Sequence, residues 1–294
     1  MAKNRKQRIL NHIDSNGLGL EIGAGYSPLF PKQKGYKVKT LDHQSAEDLR
    51  LKYPDLSDSD LSKIEPVDFV WHGEPYTELV KGEKFDWIVA SHVIEHVPDL
   101  IGFIKECASI LKESGVLALA IPDKRYTFDY YRHPSSLAQI IDSHCIVGGV
   151  KKQPSVGDIM DYYFYSTEKS KLFSEATFRQ NPTIDIYDKY KSAVPYTDVH
   201  VWVFTPHHFR LLTEDLFCLG VIPLREVAFS ASKGEFFVFL SKKGAGPKQS
   251  RIKMAKKANR ERQARFNLIN VISRIDNDYC NGSVKKMVQK IIRN

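Results

Sequence analysis

Paired cysteines are missing from this 294-residue chain. Its four cysteines, Cys107, Cys145, Cys218 and Cys280, stand singly with no CxxC among them. That excludes a zinc ribbon and a disulfide framework and fits a reducing compartment. Apolar runs approaching the roughly 18 residues that span a bilayer are also missing. The basic start MAKNRKQRIL leads into no long apolar segment, so a secretory leader is not expected. Internal repeats and low-complexity blocks are absent. What is left is ordinary globular composition, 42% hydrophobic and 27% charged, enough for a sizeable core in one large domain with additions or in two small ones. A cytoplasmic location is the expectation.

The net charge of +8 is unevenly spread. From Lys248 to Asn294 there are 13 Lys/Arg against 3 Asp/Glu, a net of +10, so the remainder carries +8 less +10, or −2. A near-neutral body, residues 1–247, is followed by a strongly basic tail, 248–294.

Within the body, strand-like and helix-like stretches alternate, which predicts a parallel sheet with helices on both faces. The strands are LGLEI (18–22), YKVKTL (36–41), VDFVW (67–71), FDWIVA (85–90) and GVLALAI (115–121). Between the last two, Ile101, Ile104, Ala108 and Leu111 share a helical face, with Pro98 suited to the first turn and Gly115 to the stop. Ser45 followed by Asp48 reads as a capped helix start. The pattern breaks over residues 123–200, which are rich in Tyr, Ser, Asp and Lys. It resumes at Thr205-Pro206, a helix start, and ends in a hairpin, VIPLREVAF and EFFVFLS around SASKG.

The run LGLEIGAGYSP places Gly23 and Gly25 directly after the first strand, where a nucleotide needs close backbone approach. A phosphate loop would need Gly-Lys-Ser/Thr, which is absent. A dinucleotide site would want a third glycine near residue 28, where Pro28 stands. A methyl-donor site wants an acid just before the first glycine, and Glu21 is there. Asp42 ends the second strand 17 residues after Gly25, where its carboxylate can accept both hydroxyls of a ribose. Ala24 and His43 complete that expected set.

EIGAGYSP, Asp42, FDWIVASHVIEHVPD and LKESGVLALAIPDKRYTFD together resemble class I S-adenosylmethionine-dependent methyltransferases. The resemblance covers about residues 15–242 and is strongest to a bacterial subgroup associated with surface-polysaccharide and glycan biosynthesis. It implies an α/β fold: a Rossmann-like, seven-stranded, mostly parallel sheet with an antiparallel last strand. It also implies a helical and loop cap at 123–200 over the acceptor, and S-adenosylmethionine as cofactor. By the same resemblance Ser91 and His92 lie against the methionine half of the cofactor, and His72 and Gly73 meet the adenine. One departure stands out. Only about a dozen residues, Pro28 and Pro31 among them, separate Gly25 from the second strand, so the usual first helix is shortened or lost.

His92 and His96 could share a helical face and suggest metal, but HVIEH is not the HExxH order, and no metal is expected. The place of an Asp/Asn-Pro-Pro-aromatic loop reads SHVI, against base N-methylation, and no Pro-Cys or Thr-Cys nucleophile appears. An oxygen acceptor can call for a base worth roughly 10²–10⁴-fold; Asp123, His144 and His200 are the candidates, either histidine being also readable as an ordinary polar loop residue. Arg125 and Tyr126 are acceptor contacts. In the tail, Phe266, Ile269 and Ile272 recur near helical spacing among basic residues. That suits an anionic membrane surface or a partner enzyme, giving a membrane-peripheral protein, or a helix that closes on the domain; nucleic acid ranks behind these. The expected activity is O-methylation of a sugar or glycan intermediate. The rivals are an RNA methyltransferase and a non-catalytic methyltransferase-like binding module.

Overall fold

The computed structural model describes residues 2–145, 153–168, 177–191 and 197–263. Seven strands make one sheet: β1 (Gly19–Ile22), β2 (Val38–Asp42), β3 (Phe69–Val70), β4 (Phe85–Ser91), β5 (Leu111–Pro122), β6 (Arg225–Ala231) and β7 (Glu235–Ser241). Their order is β3-β2-β1-β4-β5-β7-β6. β1 to β5 pair in parallel, and β7 runs antiparallel to both β5 and β6. This is the expected seven-stranded, mostly parallel α/β sheet with its reversed last strand.

α1 (Ala2–Leu10) precedes the sheet. α2 (Ala46–Lys52) and α3 (Asp58–Leu61) follow β2, α4 (Tyr76–Leu79) follows β3, and α5 (Leu100–Ile110) joins β4 to β5. α6 (Leu137–Cys145), α7 (Val156–Tyr165) and α8 (Ile184–Tyr190) fall in the stretch expected as a cap. α9 (Pro206–Cys218) leads to β6, and α10 (Arg251–Gln263) follows β7.

Successive side chains of a strand face opposite ways, and here both faces are covered. Leu20, Ile22, Ile88, Ala90, Leu117 and Leu119 pack against Ile101, Ile104 and Ala108 of α5 and against Phe209, Leu212 and Leu216 of α9. On the other face Trp87, Val89, Ala118, Ala120, Phe237 and Phe239 meet Ile9 of α1 together with Leu29 and Phe30. Full burial of such side chains stabilises by roughly 1.5–3 kcal/mol each. The first helix after β1 is lost, as its length and prolines predict: only a short 3-10 turn, Lys32–Lys34, stands between β1 and β2. Leu29 and Phe30 fill its place on the sheet.

Three local expectations change. Asp99, not Pro98, starts α5, its carboxylate accepting from Gly102 N at 2.8 Å. The helix stops at Ile110, because Leu111 already pairs with Phe85 in β5. Gly115 is therefore not a helix stop. A Cβ there would sit 2.8 Å from Leu111 Cδ2 and 3.1 Å from the Phe85 carbonyl, so the glycine serves close strand packing. Ser45 caps α2 through Asp48 N as expected, whereas Thr205 precedes Pro206 of α9 without a side-chain cap bond.

The start of the basic tail lies against the body. α10 buries Met254 and Ala258, Arg251 pairs with Asp215 at 2.7 Å, and Glu261 meets His207 Nδ1 at 2.6 Å. Phe266, Ile269 and Ile272 lie outside the described residues. No helix among the described residues is long and apolar enough to cross a membrane.

Candidate functional site

Strand order reverses beside β1: the chain passes from β1 to β2 and β3 on one side, and to β4 and β5 on the other. A crevice opens at the carboxyl ends of strands at such a switch point. Here it is a cleft of about 520 Å³, within the usual range for small-ligand sites.

Of the residues expected to hold the cofactor, Gly23, Gly25, Asp42, His43, His72, Gly73 and His92 line it. Gly23 (φ +68°) and Gly25 (φ +50°) hold left-handed turns that glycine tolerates best. A Cβ on Gly23 would lie 2.6 Å from Val93 Cγ2, whereas one on Gly25 would meet nothing closer than the Tyr53 hydroxyl at 4.0 Å. The first glycine thus answers to packing, and the second keeps the cleft open. Asp42 is buried at the end of β2, with Oδ1 2.7 Å from both the amide N and the Nδ1 of His43. Its Oδ2 has no hydrogen-bond partner among the described residues. Trp71, Tyr76, Val93 and Phe103 supply apolar walls, and Lys52, Tyr53, His96, Asp99 and Asp198 add polar ones.

Glu21 lies behind the cleft, not in it. Its two oxygens accept from Leu29 N at 2.8 Å and Phe30 N at 3.0 Å, and burial pushes its carboxyl up to about 7. It anchors the segment that replaces the lost helix. Ala24 likewise does not line the main cleft; it borders a small void beneath Gly25 and Pro28. Ser91 is held from the N-terminus: Arg5 of α1 reaches Ser91 Oγ at 3.3 Å and pairs with Glu235 at 2.7 Å. The same Glu235 oxygen lies 3.0 Å from Nε2 of His92, whose backbone is left-handed at φ +56°. Burial opposes charge on Glu235, but His92 and Arg5 lower its pKa.

The three base candidates separate. Asp123 is buried, with both oxygens taken by the guanidinium of Arg125, at 3.0 Å from Nε and 2.6 Å from Nη2. Tyr126 is exposed beside it. His144 on α6 puts Nδ1 2.9 Å from Asp99 Oδ2 and does not reach the cleft. His200 is buried one ring beyond the cleft wall, its ring centroid 4.7 Å from that of His96. Its Nδ1 lies 2.6 Å from Asp129 Oδ2, which leaves Nε2 clear of that carboxylate. Asp129 is fixed in turn by Arg132 at 3.0 Å and Ser166 at 3.2 Å. Burial disfavours its charge, yet His200 and Arg132 hold its carboxyl below the usual range.

Residues 92–96 are not helical, so His92 and His96 are not two rungs of one helical face. His96 turns to the cap instead, Nδ1 lying 2.8 Å from Asp198 Oδ1 but bent away from hydrogen-bond geometry. Burial opposes charge on His96, and the carboxylates of Asp198 and Glu95 outweigh it and raise its pKa. Asp198 also meets Lys52 of α2 at 3.0 Å, tying the cap across the cleft. Glu95, His96 and His200 bring ligand-type atoms within 4.8 Å of one another. Arg5, Glu95, Asp129 and Asp198 were not singled out in the sequence. The only local hint is that Asp129 lies in the IPDKRYTFDYYR run and Asp198 two residues before His200.

Residues 1–215 match the family described as "Methyltransferase domain". The chain belongs to this family. It is 49% identical over 39 residues to a ubiquinone biosynthesis O-methyltransferase of Parvibaculum lavamentivorans, covering 13% of this chain and 15% of that protein. It is 35% identical over 49 residues to a protein of the same name from Rhodopseudomonas palustris, covering 17% and 19%. The chain thus spans less than a fifth of the length of these curated relatives. Among solved structures it is similar to the CcbJ methyltransferase of Streptomyces caelestis, with 10% identity, TM-score 0.44, and 82% and 94% of the two chains covered. It is also similar to the glycopeptide N-methyltransferase MtfA, with 12% identity, TM-score 0.41, and 84% and 91% covered. The cleft fits S-adenosylmethionine. Asp42 offers an unbonded carboxylate oxygen for the ribose, the left-handed glycines let the backbone approach, and Trp71 with Phe103 supplies apolar surface.

Proposed function

We propose that this methyltransferase acts on a hydroxyl oxygen of a sugar or glycan intermediate. The observation that carries the reading is a juxtaposition. Asp42 and the glycine turns lie in one cleft, and His96 in its wall gathers with Glu95 and His200 just behind it. S-adenosylmethionine supplies a sulfonium methyl group when bound. Asp42 holds the donor, and Glu21 serves it indirectly by fixing the segment after Gly25. The proton of the acceptor hydroxyl would leave into the polar corner, with His200 as the foremost of the three sequence candidates to receive it. Displacement of this kind depends on holding the reacting atoms about 3–3.5 Å apart, a task for the cap.

Oxygen as the acceptor atom is supported by SHVI standing where base N-methyltransferases carry their proline motif. The short matches to O-methyltransferases point the same way. A sugar acceptor is supported by an exposed aromatic edge on the cap. Tyr131, Tyr165 and Phe178 are exposed together, with Phe178 at ring-centroid distances of 5.7 Å from Tyr131 and 6.3 Å from Tyr165, and amphipathic ring faces suit sugars. Arg125 and Tyr126 are further acceptor contacts in this reading. The basic tail meets an anionic membrane surface or a partner enzyme. The test is to incubate the protein and labelled S-adenosylmethionine with glycan extracts and, separately, with a total RNA pool. Label is expected in the glycan fraction, and label confined to RNA overturns the reading.

A further inference from the structure

Glu95 is an anomaly that cofactor binding does not explain. It is 1% exposed, and neither carboxylate oxygen has a hydrogen-bond partner. His92 Nδ1 is 3.6 Å from Glu95 Oε1, beyond hydrogen-bond reach. A buried carboxylate in this condition is strongly unfavourable unless a proton or a cation answers it.

The surroundings favour a cation. His96 and His200 each place a ring nitrogen near Glu95, and the three ligand-type atoms lie within 4.8 Å of one another. His200 is the better prepared of the two: its Nδ1 is hydrogen-bonded to Asp129 at 2.6 Å, which leaves Nε2 over, whereas Nδ1 of His96 lies 2.8 Å from Asp198 without hydrogen-bond geometry. A carboxylate behind the distal nitrogen is the arrangement that metal-ligating histidines adopt, because it fixes the tautomer and raises ligand basicity. The support continues outward, since Asp129 is itself gripped by Arg132, which also donates to the His200 carbonyl at 2.8 Å.

We propose that Glu95, His96 and His200 bind one divalent transition-metal ion at the edge of the cleft. Two imidazoles and one carboxylate suit Zn²⁺, Co²⁺ or Fe²⁺, whereas Mg²⁺ and Ca²⁺ take oxygen ligands. Bonds of roughly 2.0–2.2 Å draw the three atoms closer than they stand, a movement that side-chain rotation supplies. Three protein ligands leave a position open, and His96 lines the cleft, so that position faces the acceptor side. An oxygen-bearing acceptor would be oriented there, where a bound dication eases loss of a hydroxyl proton near neutral pH. That use in turnover rests on the methyl-transfer reading above, with His200 then acting through the ion and the proton leaving to solvent instead of to its ring; the binding of the ion does not rest on it.

The full chain, dialysed against EDTA, is titrated with Zn²⁺ and with Co²⁺ by calorimetry, and the visible spectrum of Co²⁺ is followed. One ion per chain is expected, with a spectrum of nitrogen and oxygen ligation, and Zn²⁺ should raise the thermal midpoint. Asp129→Asn should weaken affinity roughly 10–100-fold, and Glu95→Gln and His200→Gln should weaken it further. Circular dichroism checks that each variant is folded, and if His200→Gln is not, Asp129→Asn and the wild-type midpoint decide. Three results overturn the proposal: no stoichiometric uptake, a cobalt–thiolate band that places the ion on cysteines such as Cys145 or Cys218, or wild-type affinity in folded Glu95→Gln. Calorimetry with S-adenosylmethionine on the metal-free protein reads the cofactor cleft separately. Loss of that binding alone defeats the methyl-transfer reading, and loss of metal uptake alone defeats the cation site.

Discussion

Glu21 holds the backbone of Phe30, its Oε2 accepting from that amide at 3.0 Å while Oε1 takes Leu29 at 2.8 Å. The bond makes up for a missing helix: Leu29 and Phe30 occupy its place on the sheet, and a buried carboxyl satisfies their amides. Burial raises that carboxyl to about 7, the two amides and the Lys6 cation oppose the rise, and Glu65 adds to it. A carboxyl raised on folding contributes stability that is full below its unfolded value, near 4.5, and is lost as pH climbs through about 7. The unfolding free energy of the wild type, from urea titrations, should therefore fall across that window by roughly 1–3 kcal/mol. Glu21→Gln should be less stable at every pH, having one acceptor oxygen for two amides, and should lose the slope. An identical slope in both proteins would assign the titration elsewhere.

Asp42 supplies the sharpest test of the cofactor cleft. Charge-assisted hydrogen bonds are worth roughly 1.5–3 kcal/mol, so Asp42→Ala should weaken S-adenosylmethionine binding by about one to two orders of magnitude. Calorimetry reads this directly. Heat equal to the wild type, with the same affinity, would remove Asp42 from the cofactor set. No heat from the wild type itself would favour a non-catalytic module.

The two glycines of the loop should separate stability from binding. Both have left-handed backbone, which costs a substituted L-residue roughly 1–2 kcal/mol. Gly23→Ala also drives a Cβ to 2.6 Å from Val93 Cγ2, while Gly25→Ala meets open space. Gly23→Ala should show the larger drop in thermal midpoint, partly recovered by adding Val93→Ala. Gly25→Ala should lose more cofactor affinity than stability. Equal drops that Val93→Ala does not relieve would mean that the Val93 contact does not set the cost.

Much of this site was legible because its residues sit where strand periodicity ends. Gly23 and Gly25 follow β1, Asp42 closes β2, and His92 follows β4, so local pattern and sheet order suffice to gather them at one edge. What the sequence concealed is pairing across distance. Asp129 and His200 are 71 residues apart, and Arg5 and Glu235 are 230 apart, with no spacing rule to announce either. Glu21 illustrates a different difficulty: an acid before a glycine loop reads as a cofactor contact until the missing helix gives it structural work. Gly115 was similarly ambiguous, since a helix stop and a close strand contact both call for glycine.

His144 and Asp99 show how a plausible base can be otherwise engaged. Asp99 is buried, starts α5 through Gly102 N, and receives His144 at 2.9 Å and 3.1 Å on its two oxygens. The histidine therefore steadies the carboxylate that sets the helix start, with its Nδ1 committed and its ring outside the cleft. His144→Ala should remove one charge-assisted partner and lower stability by roughly 1–3 kcal/mol, with turnover per folded molecule close to wild type. His200→Ala should instead lose about a hundredfold or more in turnover while S-adenosylmethionine still binds. The measurement is kcat on the labelled acceptor fraction beside a thermal midpoint for each variant. A hundredfold loss in His144→Ala with an unchanged midpoint would move the chemistry from the His200 corner to α6.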